Sequence, residues 1–134
     1  MPEHALAAHL TAHGVIPTAQ RLQIAEVMLC RPQHLSAEQI LAAMKRNGVR
    51  VSKATVYNTL KLFSEKGLVR EVVVDPNRMF YDSTTGPHHH FYNADTGELA
   101  DIPPQDVQIA RLPALPPGTR EDGVEVIVRL RKQV

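Results

Sequence analysis

The stretch SKATVYNTLKLFSEKG, residues 52–67, has the pattern of one long helix with an apolar face and a polar face. Ser52 is a preferred residue for capping the start of a helix, and Gly67 is a common residue just after its end. Three apolar residues recur at i, i+4 and i+7 and predict a buried stripe: Val56, Leu60 and Phe63.

The opposite face of this helix carries a small residue, an aromatic ring, an amide and a cation, namely Ala54, Tyr57, Asn58 and Lys61. Side chains of these types contact base edges, thymine methyl groups and phosphates when a helix enters the major groove. Composition alone fits an ordinary solvated face equally well. Four further cations are candidates for contacts to the DNA backbone: Arg21, Lys53, Arg70 and Arg78.

The elements around this helix favour the DNA-binding interpretation. Apolar spacing predicts helices over residues 3–13 and from Pro17-Thr18 to Pro32, and Ser36-Ala37-Glu38-Gln39 is a capping box for a third helix that closes at Gly48. A short strand is expected at 49–51. Residues 68–74 and 79–82 read as a strand pair joined by turn residues. Residues 1–82 therefore predict a winged helix-turn-helix.

Beyond a polar connecting segment at 83–87, the chain predicts a second, small domain at residues 88–134. Strands are expected at 88–93 and 98–102 around an Asp95-Thr96-Gly97 turn, a short helix between Pro103-Pro104 and the proline-rich stretch 113–118, and a strand at 124–130. So small a domain needs a partner surface for stability, which predicts a homodimer. The fold class is α+β, a winged helix plus a C-terminal α/β dimerisation domain.

Composition narrows the class of protein. The formal net charge is +1, which argues against a loosely held polybasic binder but permits a local basic face. No signal peptide or membrane-spanning run is visible, so a cytoplasmic protein is expected. Cys30 is the single cysteine, which excludes an internal disulfide; its place in a helix among apolar residues predicts a buried structural thiol.

A histidine cluster predicts a metal site. His88 and His90 alternate along a predicted strand and share one face, whereas His89 points the other way. The expected turn places Asp101 opposite His90, close enough for both to bind one ion. Asp82 offers a second carboxylate. Imidazoles with carboxylates suit Fe²⁺, Mn²⁺, Co²⁺ or Zn²⁺. Merely solvated histidines are the alternative.

The order of these motifs resembles the ferric uptake regulator (Fur) family over residues 10–132. The matching segments are Pro17-Thr18-Ala19-Gln20-Arg21, His34-Leu35-Ser36-Ala37-Glu38, Ala54-Thr55-Val56-Tyr57-Asn58-Thr59-Leu60 and His88-His89-His90. Within the family the chain is most similar to the iron response regulator (Irr) branch, through the triple histidine, residues 98–103 and the ending at 128–132.

The resemblance implies a repressor that binds an A·T-rich inverted repeat in double-stranded DNA as a dimer. It implies a regulatory metal site whose ligands match His34, Asp82, His88, His90 and Asp101, and it adds Thr55 to the DNA-contacting segment. Metal ligands on both sides of the connecting segment would fix the separation of the two reading heads, which links metal binding to DNA affinity.

Four departures from the family pattern bear on the cofactors. Ile16 stands where many members carry a cation for the minor groove. Neither Cys-x-x-Cys pair is present, so no structural zinc held by four cysteines is expected, and Gln108 replaces a carboxylate of a second metal site. The Cys-Pro haem motif of some Irr proteins is absent, which leaves His89 as the possible haem ligand.

Three other functions are compatible with parts of the sequence. A peroxide sensor needs only the same Fe²⁺ site, because bound iron can oxidise its own histidine ligands. A metal-dependent hydrolase also uses His and Asp, but no spare acid stands at a useful spacing, so no catalytic residue is assigned. A pure dimerisation module leaves the polar face of helix 52–66 unexplained.

Overall fold

The computed structural model describes residues 2–134, which form two compact units with their boundary between Thr85 and Gly86. This boundary falls inside the segment 83–87 that the sequence suggested as a connection. Ser83 belongs to the first unit, because its amide donates to the Gln33 carbonyl over 3.0 Å and its hydroxyl accepts from the Gln33 amide over 3.0 Å. Within residues 2–134, no helix has the length and apolar character needed to cross a membrane.

The first unit contains four α-helices in its described part: α1 (Glu3–Ala12), α2 (Ala19–Leu29), α3 (Ala37–Arg46) and α4 (Lys53–Glu65). The predicted caps are confirmed. Ser52 Oγ accepts from the Thr55 amide over 3.1 Å at the start of α4. Both bonds of the capping box form at α3, with Gln39 N to Ser36 Oγ at 3.2 Å and Ser36 N to Gln39 Oε1 at 2.8 Å. Each of these three hydrogen bonds satisfies an amide at the start of a helix that has no partner within the helix.

The core of the first unit lies between these helices. The predicted stripe of α4, Val56, Leu60 and Phe63, is fully buried. It packs in one cluster with Leu6 and Leu10 of α1, Ile24 and Met28 of α2, and Ile40 and Met44 of α3. On the opposite face of α4, Ala54, Asn58 and Lys61 are exposed and Tyr57 is half-buried.

A three-stranded sheet completes the winged helix. Its strands are β1 (His34–Leu35), β2 (Arg70–Asp75) and β3 (Arg78–Asp82), in the order β1-β3-β2 with antiparallel pairing. The β2–β3 hairpin is the predicted wing. The strand expected at 49–51 is wrong: the Val49 amide donates to the Met44 carbonyl over 2.9 Å and closes the end of α3 together with Gly48, whose φ is 73°.

The second unit is built on another three-stranded sheet. Strands β4 (His89–Asn93) and β5 (Leu99–Ile102) are antiparallel, and β6 (Ile127–Leu130) lies parallel to β4 on its other side. Asn93 Oδ1 accepts from the amides of Asp95 and Thr96, and Gly97 adopts φ 77°, so the predicted turn between β4 and β5 is confirmed.

Two expectations for this unit are corrected. The helix expected after Pro103-Pro104 is a single 3₁₀ turn at Pro104–Asp106, and residues 86–134, all of them described, contain no α-helix. Proline removes the backbone donor that a helix needs, and this segment contains several. The final strand begins at Ile127 rather than at residue 124.

Candidate metal centre and DNA-reading face

Two histidines of the second unit converge on one carboxylate. Nε2 of His90 lies 3.4 Å from Oδ1 of Asp101, and Nε2 of His88 lies 3.7 Å from the same oxygen. One ligand atom from each of the three residues lies within 4.8 Å of the others. The β4–β5 register pairs His90 with Asp101, as the position of the turn predicted. His88 precedes β4 and still faces the same carboxylate.

The partners of the Nδ1 atoms decide which ring nitrogens are available to a metal. Nδ1 of His88 lies 2.7 Å from the Gly86 carbonyl oxygen. A carbonyl oxygen only accepts, so Nδ1 carries a ring proton, and in the neutral ring the lone pair then belongs to Nε2, which faces Asp101. On the other ring, Nδ1 of His90 lies 3.0 Å from Oε1 of Glu125. Nε2 of each ring faces the same oxygen of Asp101.

His89 has the opposite arrangement. Its Nδ1 accepts a hydrogen bond from the Val126 amide over 2.8 Å. In the neutral ring the proton then sits on Nε2, and the single lone pair is already occupied. His89 thus joins β4 to the segment before β6. The prediction that His89 points away from His88 and His90 fits this role.

Glu125 is a residue that the sequence analysis missed. Its side chain is 23% exposed, while that of His90 is fully buried. The signal for it was an acidic residue between apolar neighbours, Val124 and Val126, near a predicted strand. The tertiary structure brings this carboxylate to 3.0 Å from Nδ1 of His90.

The other two predicted metal ligands lie in the first unit. His34 of β1 and Asp82 of β3 are direct partners in the antiparallel register, which places their side chains on one face of the sheet. Asp82 is 1% exposed, and its Oδ1 accepts from the Thr84 amide over 2.8 Å. His34 is half-buried. The pairing had no local signal, because β1 is only two residues long.

The donor set fits a borderline divalent cation. Imidazole nitrogens together with carboxylate oxygens are ligands that suit Fe²⁺, Mn²⁺, Co²⁺ and Zn²⁺. Both imidazoles are buried, and Nδ1 of each lies within 3.0 Å of an oxygen atom; a metal-binding histidine usually has such a partner at its other ring nitrogen. The Asp101 side chain is 53% exposed and leaves an approach from solvent.

The predicted reading face of α4 is accessible. Lys53, Ala54, Asn58 and Lys61 are exposed. Thr55 and Tyr57 are half-buried, and the Thr55 hydroxyl bonds to Ser52 over 2.8 Å. At the wing, Arg78 is exposed at the start of β3, and Arg70 of β2 is half-buried.

Tyr57 is held by Glu38, which the sequence analysis named only as part of a motif. Its hydroxyl donates to the carboxylate of Glu38 in α3, and Lys53 Nζ lies 5.7 Å from the centre of its ring. The hydrogen bond lowers the pKa of Glu38 and raises the pKa of Tyr57. This hydrogen bond orients the Tyr57 side chain against α3.

Cys30 and Arg21, at the end and in the first turns of α2, were also singled out in the sequence. The Cys30 thiol is exposed at the end of α2, so the expectation of a buried thiol is wrong. Residue 30 lies just beyond the last buried position of this helix, Met28. Arg21 donates to the Ile16 carbonyl over 3.0 Å, and the Ile16 side chain is 72% exposed.

A winged helix with an open reading face, followed by a unit with a His/Asp cluster, defines a DNA-binding, metal-responsive transcription regulator. Comparison with known proteins places the chain among such regulators. Residues 12–114 match the model of the ferric uptake regulator family, and the chain belongs to that family.

Individual relatives agree with this assignment. The chain is 32% identical to the peroxide-responsive repressor PerR of Staphylococcus aureus over 106 residues, which are 78% of this chain and 72% of that relative. Its fold is similar to the ferric uptake regulator of Pseudomonas aeruginosa with manganese, at 24% identity and a TM-score of 0.72 over 100% of both chains. The Vibrio cholerae ferric uptake regulator is similar at 23% identity and a TM-score of 0.72, over 94% and 98% of the respective chains.

Proposed function

We propose that this chain is a dimeric repressor whose affinity for its operator depends on a divalent cation. The observation that carries the proposal is the convergence of His88 Nε2 and His90 Nε2 on Asp101, with Nδ1 of each ring already facing an acceptor. We infer that His34 and Asp82 complete the ligand set from the first unit. A bound Mn²⁺, Fe²⁺ or Zn²⁺ would supply the coordination bonds that link both groups of ligands.

DNA reading is assigned to α4 and the wing. Asn58 has the amide to pair with a base edge, and Tyr57 and Ala54 present apolar surface suited to thymine methyl groups. The residues proposed to contact the backbone are Arg21, Lys53, Thr55, Lys61 and Arg78. A symmetric dimer presents two such helices and therefore reads an inverted repeat; an A·T-rich operator is the expectation from the family resemblance.

The sheet of the second unit supports the dimer. Phe91 and Val128 are register partners on neighbouring strands, and both are more than a third exposed, as is Leu130. They share the face opposite the buried His90 and Tyr92. Strand β6 is also an edge of this sheet, with backbone groups available for pairing. A second copy of this chain would cover the apolar face.

The test is operator affinity with and without Mn²⁺. The parent, a His88→Ala/His90→Ala double variant and a His4→Ala control are compared on an operator selected from random duplexes. Mn²⁺ should tighten binding by the parent and the control, because each keeps the ligand set. The double variant should lose the response while its winged helix stays folded, since it changes no residue of the first unit's core.

An equal Mn²⁺ response in the parent and the double variant would remove the cluster as the sensor. The dimer is tested separately by sedimentation of the parent and a Phe91→Lys/Val128→Lys variant. A parent that sediments as a monomer at micromolar concentration would contradict the assembly.

Peroxide sensing is the second candidate, favoured by the likeness to PerR. The same ligand set with Fe²⁺ would bring an oxidisable imidazole next to the iron. Exposure of the Fe²⁺-loaded chain to hydrogen peroxide should then add one oxygen atom to the peptide that contains His88 and His90. Mn²⁺-loaded protein is the matched control. An unmodified peptide with unchanged DNA binding would exclude this role.

An Irr-type haem response is the remaining candidate, and it depends on His89. Its Nδ1 accepts from Val126, so haem ligation would require that bond to break. Haem titration of the parent and of His89→Ala tests this role, because only the parent should bind haem if His89 is the ligand.

We assign the chain to the cytoplasm, where its DNA target lies, and give it no catalytic role.

A further inference from the structure

Glu125 stands on the far side of the His90 ring from the proposed metal position. Nε2 of His90 faces Asp101 at 3.4 Å, and Nδ1 of the same ring faces Glu125 at 3.0 Å. The two nitrogens are separated by Cε1 and point in different directions from the ring. A carboxylate at Nδ1 is therefore placed to act on the ring rather than on an ion at Nε2.

The contact between Glu125 and His90 is buried. Oε1 of Glu125 is buried and has no hydrogen bond of standard geometry among the described residues. Leaving a buried carboxylate oxygen in this condition costs free energy. Nδ1 of His90 lies 3.0 Å from this oxygen, and it can donate to the oxygen only when the ring proton is on Nδ1.

We propose that Glu125 is a positioning residue for metal binding: it holds the proton of His90 on Nδ1 and so places the lone pair on Nε2, toward the proposed metal position. The proposal rests on the metal-dependent function proposed above. His88 supplies an internal comparison, because the Gly86 carbonyl imposes the same tautomer on it over 2.7 Å. His89 supplies the opposite case, because its Nδ1 accepts from Val126.

The location of Glu125 gives this role a further consequence. It lies two residues before β6, the edge strand proposed to take part in the dimer. His90 is also tied to this segment through its backbone, since its amide donates to the Val126 carbonyl over 3.1 Å. The position of the segment before β6 therefore affects the tautomer of His90, and through it the affinity of His90 for metal.

The experiment uses the full chain and three variants: Glu125→Ala, Glu125→Gln and, as the matched control, Glu121→Ala, an exposed glutamate of the same segment. Nitrogen-15 NMR of the metal-free proteins reports the tautomer of each histidine. Equilibrium Mn²⁺ affinity and the visible spectrum of the Co²⁺ form report the metal site.

In Glu125→Ala, His90 should lose its preference for the Nδ1 proton while His88 keeps its own. Mn²⁺ binding should weaken by about 10- to 100-fold, the usual effect of removing a carboxylate behind a metal-binding histidine. Glu125→Gln should retain the tautomer, because an amide oxygen also accepts, and should recover most of the affinity. Glu121→Ala should match the parent, and the Co²⁺ bands should keep their positions in every variant.

Parent tautomers and parent affinity in Glu125→Ala would overturn the positioning role and leave the proposed function standing. Altered Co²⁺ bands in that variant would also overturn it, because they would make Glu125 a direct ligand. A parent chain that binds neither Mn²⁺ nor Co²⁺ would overturn the proposed function and this proposal together.

Discussion

Alanine substitutions at Asn58 and Lys61 should separate base reading from backbone contact on α4. Both side chains are exposed on the same helix face, one turn apart, and neither contributes to the core. An amide can make two hydrogen bonds to an adenine edge, whereas an ammonium group acts mainly on phosphate charge. The two variants should therefore fail in different ways.

The magnitudes follow from the two half-sites that a dimer reads. Loss of a paired amide–base contact costs about 1–3 kcal/mol, so Asn58→Ala should cost a dimer about 2–6 kcal/mol, or about 30-fold to 10⁴-fold in affinity. Loss of one phosphate contact lowers the slope of log affinity against log salt by about 0.9. Lys61→Ala removes one such contact from each protomer of a dimer, so it should lower this salt slope by about 1.8.

The assay is fluorescence anisotropy on a selected operator at saturating Mn²⁺, over a series of salt concentrations. Asn58→Ala should relax the base preference at one position of each half-site and keep the parent salt slope. Lys61→Ala should keep the base preference and lower the slope. Lys66→Ala is the charge-matched control, because Lys66 lies beyond the last turn of α4 and is exposed.

Both substitutions should leave the free energy of unfolding within about 0.5 kcal/mol of the parent, as is usual for exposed positions. A weaker affinity would then reflect lost DNA contacts rather than lost structure. The assignment of α4 as reader fails if Asn58→Ala selects the parent operator unchanged and Lys61→Ala has the parent salt slope.

Further predictions concern stability and titration. Phe63→Ala should cost about 3–5 kcal/mol of unfolding free energy in chemical denaturation, because the ring is fully buried; a cost under about 1 kcal/mol would contradict the packing. Ser36→Ala should cost about 1 kcal/mol through the lost capping box, with Gln39→Ala as its companion variant. Burial raises the pKa of Tyr81 to about 12, so the stability due to its neutral form is present below pH 10 and is lost as the pH rises toward 12; Tyr81→Phe should remove the latest step of an ultraviolet tyrosine titration. The hydrogen bond from Tyr57 lowers the pKa of Glu38 from 4.5, so its stabilisation is present above pH 4.5 and is lost as the pH falls through the lowered value. Tyr57→Phe should flatten that part of the curve of stability against pH, and an unchanged curve would count against the bond.

Local patterns in the sequence were sufficient for most of the winged helix and for one pair of residues in the candidate metal site. The spacing of Val56, Leu60 and Phe63 predicted a stripe that is fully buried. The turn at Asp95-Thr96-Gly97 predicted the pairing of His90 with Asp101, because the length of a hairpin loop determines its register. These features depend on residues close together in the chain, so a periodic pattern or a turn motif is enough to reveal them.

Features that depend on distant residues were decided by the tertiary structure. Strand β1 exists because His34 and Leu35 pair with β3, more than forty residues later, and the exposure of Cys30 follows from where α2 ends against the core. The three adjacent histidines look alike in the sequence. Their Nδ1 atoms face the Gly86 carbonyl, the Val126 amide and the Glu125 carboxylate, respectively. An imidazole has one lone pair and one proton when neutral, so these contacts, two of which come from the distant C-terminal segment, decide which histidines are available to a metal.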